Sequence, residues 1–183
     1  MSKLAICMAN GCEEIEALTV VDIMRRAGIT IDMLSINDSL TVTGSHNIEF
    51  RADKLISEAD CNDYDGIILP GGMPGTTNLE ANTAVQHGIT SLFNRGDLVA
   101  AICAAPSILG KNGVANGKNV TSYPGFEDAF SRSTYRTDSV VVDGNVITSR
   151  GMGTAIDFAL AILEYIKGAE AAKDMADKIV YSK

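Results

Sequence analysis

The sequence is short of several things that would have settled its chemistry at once. It has two histidines, His46 and His87, and neither stands beside a motif that would mark it as a catalytic base, so a conventional cysteine–histidine dyad is not evident. The four cysteines, Cys7, Cys12, Cys61 and Cys103, show neither CxxC spacing nor a Cys/His ligand pattern. A zinc site and a secreted disulfide framework are therefore unsupported, no metal is expected, and the cysteines read as free thiols. No cluster of lysine and arginine offsets the formal charge of -8, which argues against a nucleic-acid surface or a polyanionic partner. The first apolar run, Leu4 to Met8, is too brief for a signal-peptide core and far too brief to cross a bilayer. No membrane partner is expected, and a cytoplasmic location is. There is no GxxxxGK[ST] phosphate loop, no repeat, no low-complexity stretch and no interdomain linker.

What is present is one compact domain's worth of apolar sequence. At 183 residues and 46% hydrophobic, residues 1–183 read as a single domain with one sizeable core. Leu4–Met8, Thr30–Ile36, Gly66–Leu69 and Leu98–Ile102 have the look of buried parallel strands. Ile15–Ala27 carries apolar residues at helical spacing, with Ile15, Leu18, Val21, Ile23, Met24 and Ala27 on one side, and closes at Gly28. Thr83–Arg95 is the main helix of a second crossover. Leu40–Thr43 and Ile48–Arg51, broken by Gly44, form a small antiparallel excursion. Ser139–Val142 and Val146–Thr148 flank the hairpin signal Asp143-Gly144. Helices are expected over Thr154–Ile166 and Glu170–Val180. The alternation predicts an α/β fold, a mainly parallel doubly wound sheet with helices on both faces.

Within that frame, Leu98 to Leu109 says most about chemistry. A buried strand stops at Cys103, small alanines allow a sharp bend, and Pro106 suits a first helical turn. Cys103 thus sits where a nucleophile elbow would place it, near a helix N-terminus that favours thiolate over thiol. Ligands of such sheets bind beyond the carboxyl ends of the strands, so the other loops at those ends are candidates for the same site. After the first strand come Glu13, Glu14 and Glu16. The first two read as partners of the helix dipole. Glu16 begins to face the apolar side, where burial beside a thiolate would protonate it and let it donate to sulfur or move a proton.

Pro70-Gly71-Gly72-Met73-Pro74-Gly75 can bring backbone amides close to a ligand, which points to an oxyanion site. The loop Thr148 to Thr154, with Arg150, reads either as an anion site or as a tight strand-to-helix connection. Cys12 is either a second pocket thiol or a packed cysteine, and His46 could reach the pocket or a subunit contact. Cys7 reads as inert core, Cys61 as exposed in a polar loop, and His87 as a surface residue of its helix.

Gly11-x-Glu13-Glu14-x-Glu16, Leu69-Pro70-Gly71-Gly72, Ala101-Ile102-Cys103-Ala104-Ala105-Pro106 and Thr148-Ser149-Arg150-Gly151-x-Gly153-Thr154, in this order and spacing, resemble the DJ-1 branch of the DJ-1/ThiJ/PfpI superfamily over nearly the full length. The resemblance implies a flavodoxin-like α/β sandwich, usually a homodimer, with Cys103 as the nucleophilic, oxidisable thiol. It implies Glu16 as the protonated carboxyl beside it and Gly71, Gly72 and the amide of Ala104 as an anion pocket. It further implies cofactor-independent glyoxalase or deglycase chemistry on methylglyoxal or a glycated protein. The alternative it offers is an oxidation-sensing stress protein or redox-gated chaperone that uses the same cysteine. A cysteine peptidase ranks behind both, because Tyr123 stands where many members carry a histidine, and a phenol that ionises near pH ~10 is no neutral-pH base. His46 stands where close relatives carry an arginine.

Overall fold

The computed structural model describes residues 2–182. Its frame is a seven-stranded sheet in the order β10-β11-β7-β6-β1-β2-β5, formed by β1 (Lys3–Met8), β2 (Thr30–Ser35), β5 (Lys54–Leu55), β6 (Gly66–Leu69), β7 (Leu98–Ile102), β10 (Val140–Asp143) and β11 (Val146–Ser149). All neighbours run parallel except β10 and β11. Two small pairs lie outside it: β3 (Thr41–Thr43) with β4 (Glu49–Arg51), and β8 (Asn119–Val120) with β9 (Thr134–Tyr135).

Because side chains alternate across a strand, each central strand feeds two cores. On β1, Leu4, Ile6 and Met8 face a core shared with α1 (Glu14–Arg26), α5 (Ala155–Lys167) and α6 (Ala169–Lys178), whose largest buried side chain is Phe158. Cys7 faces the opposite core with α2 (Gly75–Ala81), α3 (Thr83–Arg95) and α4 (Pro106–Lys111). β7 does the same, with Leu98, Ala100 and Ile102 on the first face and Val99 and Ala101 on the second. Helices thus cover both faces, as the sequence pattern predicts.

The differences are local. Helix α1 begins at Glu14, and Ile15, placed above on its apolar side, is half exposed. The hairpin turn is Gly144-Asn145, because Asp143 pairs with Val146 inside the ladder. The last helix ends at Lys178, and Val180 lies beyond it, exposed. Helix α2 has too few apolar residues to show a helical period, and only Leu79 among its large side chains is buried. Four strand ends matter for function: Met8, Leu69, Ile102 and Ser149 bring their following loops to one edge of the sheet.

Candidate active site

At that edge β7 ends at Ile102 and the chain turns at Cys103, whose φ of 65° lies in the left-handed region. Residues other than glycine adopt it only when their surroundings hold them there. Cys103 is clamped on both sides: its N–H donates to the Ser149 carbonyl at 3.0 Å, and its carbonyl accepts the Tyr123 N–H at 2.7 Å. The strained turn is therefore fixed by β11 and by the segment after β8. It projects the half-buried thiol into the space between the loops.

Glu16 enters from the first turn of α1 and is 1% exposed. Its Oε2 accepts the Gly71 N–H at 2.9 Å, and its carboxyl is hydrogen-bonded to the Cys103 thiol. Gly71 has to be glycine here. A Cβ on it would come within 2.5 Å of the Cys103 Cβ, 2.7 Å of Glu16 Oε2 and 3.0 Å of the sulfur. Gly72, at φ 85°, would drive a side chain into the Glu13 backbone. The amides of Gly72 and Ala104 are the backbone donors that face the sulfur. Gly71 is in the pocket, but its amide is committed to Glu16, so the two amides facing the sulfur are those of Gly72 and Ala104.

The electrostatics differ from the simple expectation of a thiol acidified by a helix. The helix α4 starts only at Pro106 and is six residues long, so its end is offset from the sulfur. Burial, the charge of Glu16 and the hydrogen bond to it push the thiol up to about 12, against the smaller opposing effect of the Gly72 and Ala104 amides. Burial also raises Glu16 to about 7, opposed by its hydrogen bonds to Cys103 and Gly71. The pair thus loses its first proton near neutrality and holds the second strongly. Above pH ~7 it carries one negative charge, on the carboxyl, with the thiol keeping its proton and donating to it.

The remaining candidates divide. Tyr123 is at the site: its ring edge lies 3.3 Å from where a Gly151 Cβ would stand, with Glu16 Oε1 3.9 Å from the same point. Arg150 follows β11, and its Nη1 is buried without a hydrogen-bond partner, while its charge acts on Glu127. Cys12 is fully buried in the α1-side core, where burial pushes its thiol up to about 12. It is packing rather than pocket.

Glu14 is not a solvated dipole partner. Its buried carboxylate accepts the His46 N–H at 2.9 Å and the Ile48 N–H at 3.4 Å, pinning the β3–β4 excursion to α1. Burial raises its pKa, but these donors and the His46 ring outweigh that and hold it below the usual value. His46 belongs to this cluster, with Nδ1 3.3 Å from Glu14 and 3.4 Å from Glu13, and among the described residues nothing links it to Cys103. Glu13, Glu14 and His46 have donor atoms within 4.8 Å of one another and could hold a cation. The Ser45 hydroxyl and two backbone amides already occupy those oxygens.

The two clamps on the Cys103 backbone are missing from the sequence reading, since Ser149 acts through its carbonyl and Tyr123 through its amide, and neither group is encoded by a side chain. Cys61 and His87 also come together, with Sγ 3.6 Å from Nδ1. Their separation in the chain gives no sign of it.

A flavodoxin-like sheet with a strained cysteine at the end of a central strand, paired to a buried carboxyl, defines a class of α/β proteins built around one thiol. The DJ-1/PfpI family model matches residues 2–165, and the chain belongs to that family. It is 39% identical over 179 residues to protein dj-1beta of Drosophila melanogaster, covering 96% of each chain. It is 28% identical over 184 residues to the glutathione-independent glyoxalase DJR-1.2 of Caenorhabditis elegans, covering 100% of this chain and 97% of that one. Oxidised DJ-1 of Toxoplasma gondii superposes with a TM-score of 0.96 at 35% identity over 100% of both chains. Among the described residues no helix is long and apolar enough to cross a membrane.

Proposed function

We propose that the protein is a cofactor-independent glyoxalase or deglycase in which Cys103 is the nucleophile and Glu16 carries the proton. The observation that supports it most is the hydrogen bond between the Cys103 thiol and the buried Glu16 carboxyl, in a pocket where the Gly72 and Ala104 amides face the sulfur. Sulfur bonds to the aldehyde carbon of methylglyoxal, and the thiol proton passes by way of Glu16 to the carbonyl oxygen. Glu16 then takes the proton on that carbon and returns it to the neighbouring one, while the hydroxyl proton of the first carbon moves to the ketone oxygen. The aldehyde carbon is oxidised to a thioester while the ketone carbon is reduced to an alcohol, so no outside oxidant is needed. Water cleaves the thioester, releasing the hydroxy acid and restoring the thiol. Glyoxal adducts on a protein side chain offer the same carbon, with the side chain leaving. The glyoxalase name of the Caenorhabditis elegans relative agrees with this reading. The test is lactate formation from methylglyoxal, without metal or added thiol, by wild type, Cys103→Ala and Glu16→Gln. Turnover lost in both variants is expected; turnover retained by Cys103→Ala ends the proposal.

A second reading uses the same sulfur as an oxidation sensor, favoured by the two amides that would hold a sulfinate and by the oxidised form of the Toxoplasma gondii neighbour. Mild peroxide followed by peptide mapping separates the two: first oxidation at Cys12 or Cys61 rather than Cys103 eliminates it. We place the protein in solution as a homodimer, supported by exposed Ile15 beside Glu16 and exposed Ile48 on the excursion. Sedimentation at micromolar concentration checks this, and a mass near 19.3 kDa, that of one chain, contradicts it.

A further inference from the structure

A second thiol lies well away from Cys103 in sequence and on a different loop. Cys61 opens a short 3-10 turn, Cys61–Asp63, whose start is capped by the Asp60 carboxylate accepting the Asn62 N–H at 2.9 Å. The turn is tied to α3 by Arg95, which donates to Asn62 Oδ1 at 3.2 Å and to the Tyr64 carbonyl at 2.6 Å. This brings the sulfur of half-buried Cys61 to 3.6 Å from Nδ1 of His87, which is exposed at the mouth of the space beside it. Gly88, next to His87, faces the turn and the sheet, and a Cβ there would stand in ordinary contact, 3.9 Å from the Cys61 Cβ, but tightly, 3.2 Å, against Ile67 Cδ1.

The pair borders a cavity of about 370 Å3, walled by Ala5, Leu34, Ile56, Ile67 and Leu92. That volume is within the roughly 300–1,000 Å3 usual for small-molecule pockets. Among the described residues, Asp60 is the one Asp, Glu, Lys or Arg in its lining, which offers no cationic group to a carboxylate or phosphate. Its floor carries a further thiol, Cys7, but that sulfur is fully buried, and burial pushes it up to about 12. A thiol beside an imidazole nitrogen, opening on an apolar space, is suited to a soft, uncharged electrophile with a hydrocarbon tail.

We propose that Cys61 and His87 form a covalent capture site for α,β-unsaturated aldehydes bearing an alkyl chain. His87 Nδ1 takes the thiol proton as the sulfur bonds to the β-carbon of the enal. The carbon–carbon double bond becomes single, and the proton held on His87 passes to the α-carbon of the resulting enolate. The product is a thioether that keeps its aldehyde, formed by addition alone with no oxidant or reductant. The alkyl tail lies in the cavity against Leu34, Ile56 and Leu92. This site does not depend on the chemistry proposed for Cys103.

The test uses the full chain carrying Cys103→Ala, treated with limiting 2-pentenal, 2-hexenal, 2-octenal or 2-nonenal, whose reacting carbons are alike. Peptide mapping by mass spectrometry gives the rate of adduct formation at each remaining cysteine, normalised to N-acetylcysteine. The Cys61 rate is expected to rise with chain length, by up to about fourfold for each methylene that enters the cavity. His87→Asn, which keeps a polar side chain but removes the base, is expected to slow it by at least about tenfold. Ala84→Met, which extends a side chain from α3 into the cavity, is expected to abolish the chain-length dependence. A Cys61 rate unchanged by His87→Asn, equal rates for all four aldehydes, or addition at Cys7 or Cys12 ahead of Cys61 would each overturn the proposal.

Discussion

Replacing Glu16 by Gln tests the electrostatics of the candidate site independently of any substrate. The carboxyl is raised from 4.5 to about 7 in the folded chain by burial. A folded-state pKa above the unfolded one means that the native state binds more protons in the window between them. Stability is therefore highest below pH ~4.5 and falls as pH rises through ~7, because the unfolded chain ionises this group more readily. The full shift of 2.5 units corresponds to about 3 kcal/mol, of which about 2.5 kcal/mol is lost between pH 5 and pH 8. Glu16→Gln keeps an oxygen to accept the Gly71 amide and has no proton to lose. Urea unfolding of both proteins at pH 5, 6, 7 and 8 reads the difference directly. Groups away from the Glu16 site are the same in both proteins, so their contributions cancel. The variant is expected to become more stable relative to wild type by about 2.5 kcal/mol across this range, while the thiol, held to about 12, does not titrate in it. Parallel stability–pH curves for the two proteins would refute the assignment of a buried carboxyl that holds its proton up to neutrality.

Gly71→Ala is expected to destabilise the protein by about 1–3 kcal/mol through overpacking, and to abolish methylglyoxal turnover, because the new Cβ stands 2.5 Å from that of Cys103; thermal melting and lactate assay read the two effects. Glu14→Gln is expected to cost about 1–3 kcal/mol at pH 7, since it weakens hydrogen bonds made to a charge. Because the folded carboxyl titrates below 4.5, that stabilisation is present above the unfolded pKa and is lost as pH falls through the folded one. The two proteins should therefore converge in acid, and a gap that stays constant down to pH 3 would contradict this. Phe158→Ala, which empties the largest fully buried side chain, is expected to cost about 3–5 kcal/mol in urea unfolding without altering the reactivity of Cys103.

Residues that act through period and position are legible along the chain. The parallel strands, Thr83–Arg95 and the turn at Cys103 follow from apolar runs, helical spacing and small residues around one cysteine, which act over a few neighbours. The same holds for Glu16, whose place one turn into an amphipathic helix decides that it is buried. Pairings made across the sheet are a different matter. Which carboxylate holds which loop depends on a strand order that no local pattern contains, so Glu14 reads as a dipole partner in sequence and becomes the anchor of the β3–β4 excursion in space. His46 is drawn to that anchor and away from the thiol. Gly71 and Gly72 are alike as sequence, yet only the fold turns one amide to Glu16 and the other to sulfur. Sequence alone determined that one thiol would sit at a strained turn near a buried carboxyl. The hydrogen bond between them, with the shifts it brings, and the pairing of Cys61 with His87 were decided by tertiary structure, because burial and distance are properties of the packed loops rather than of any segment within them.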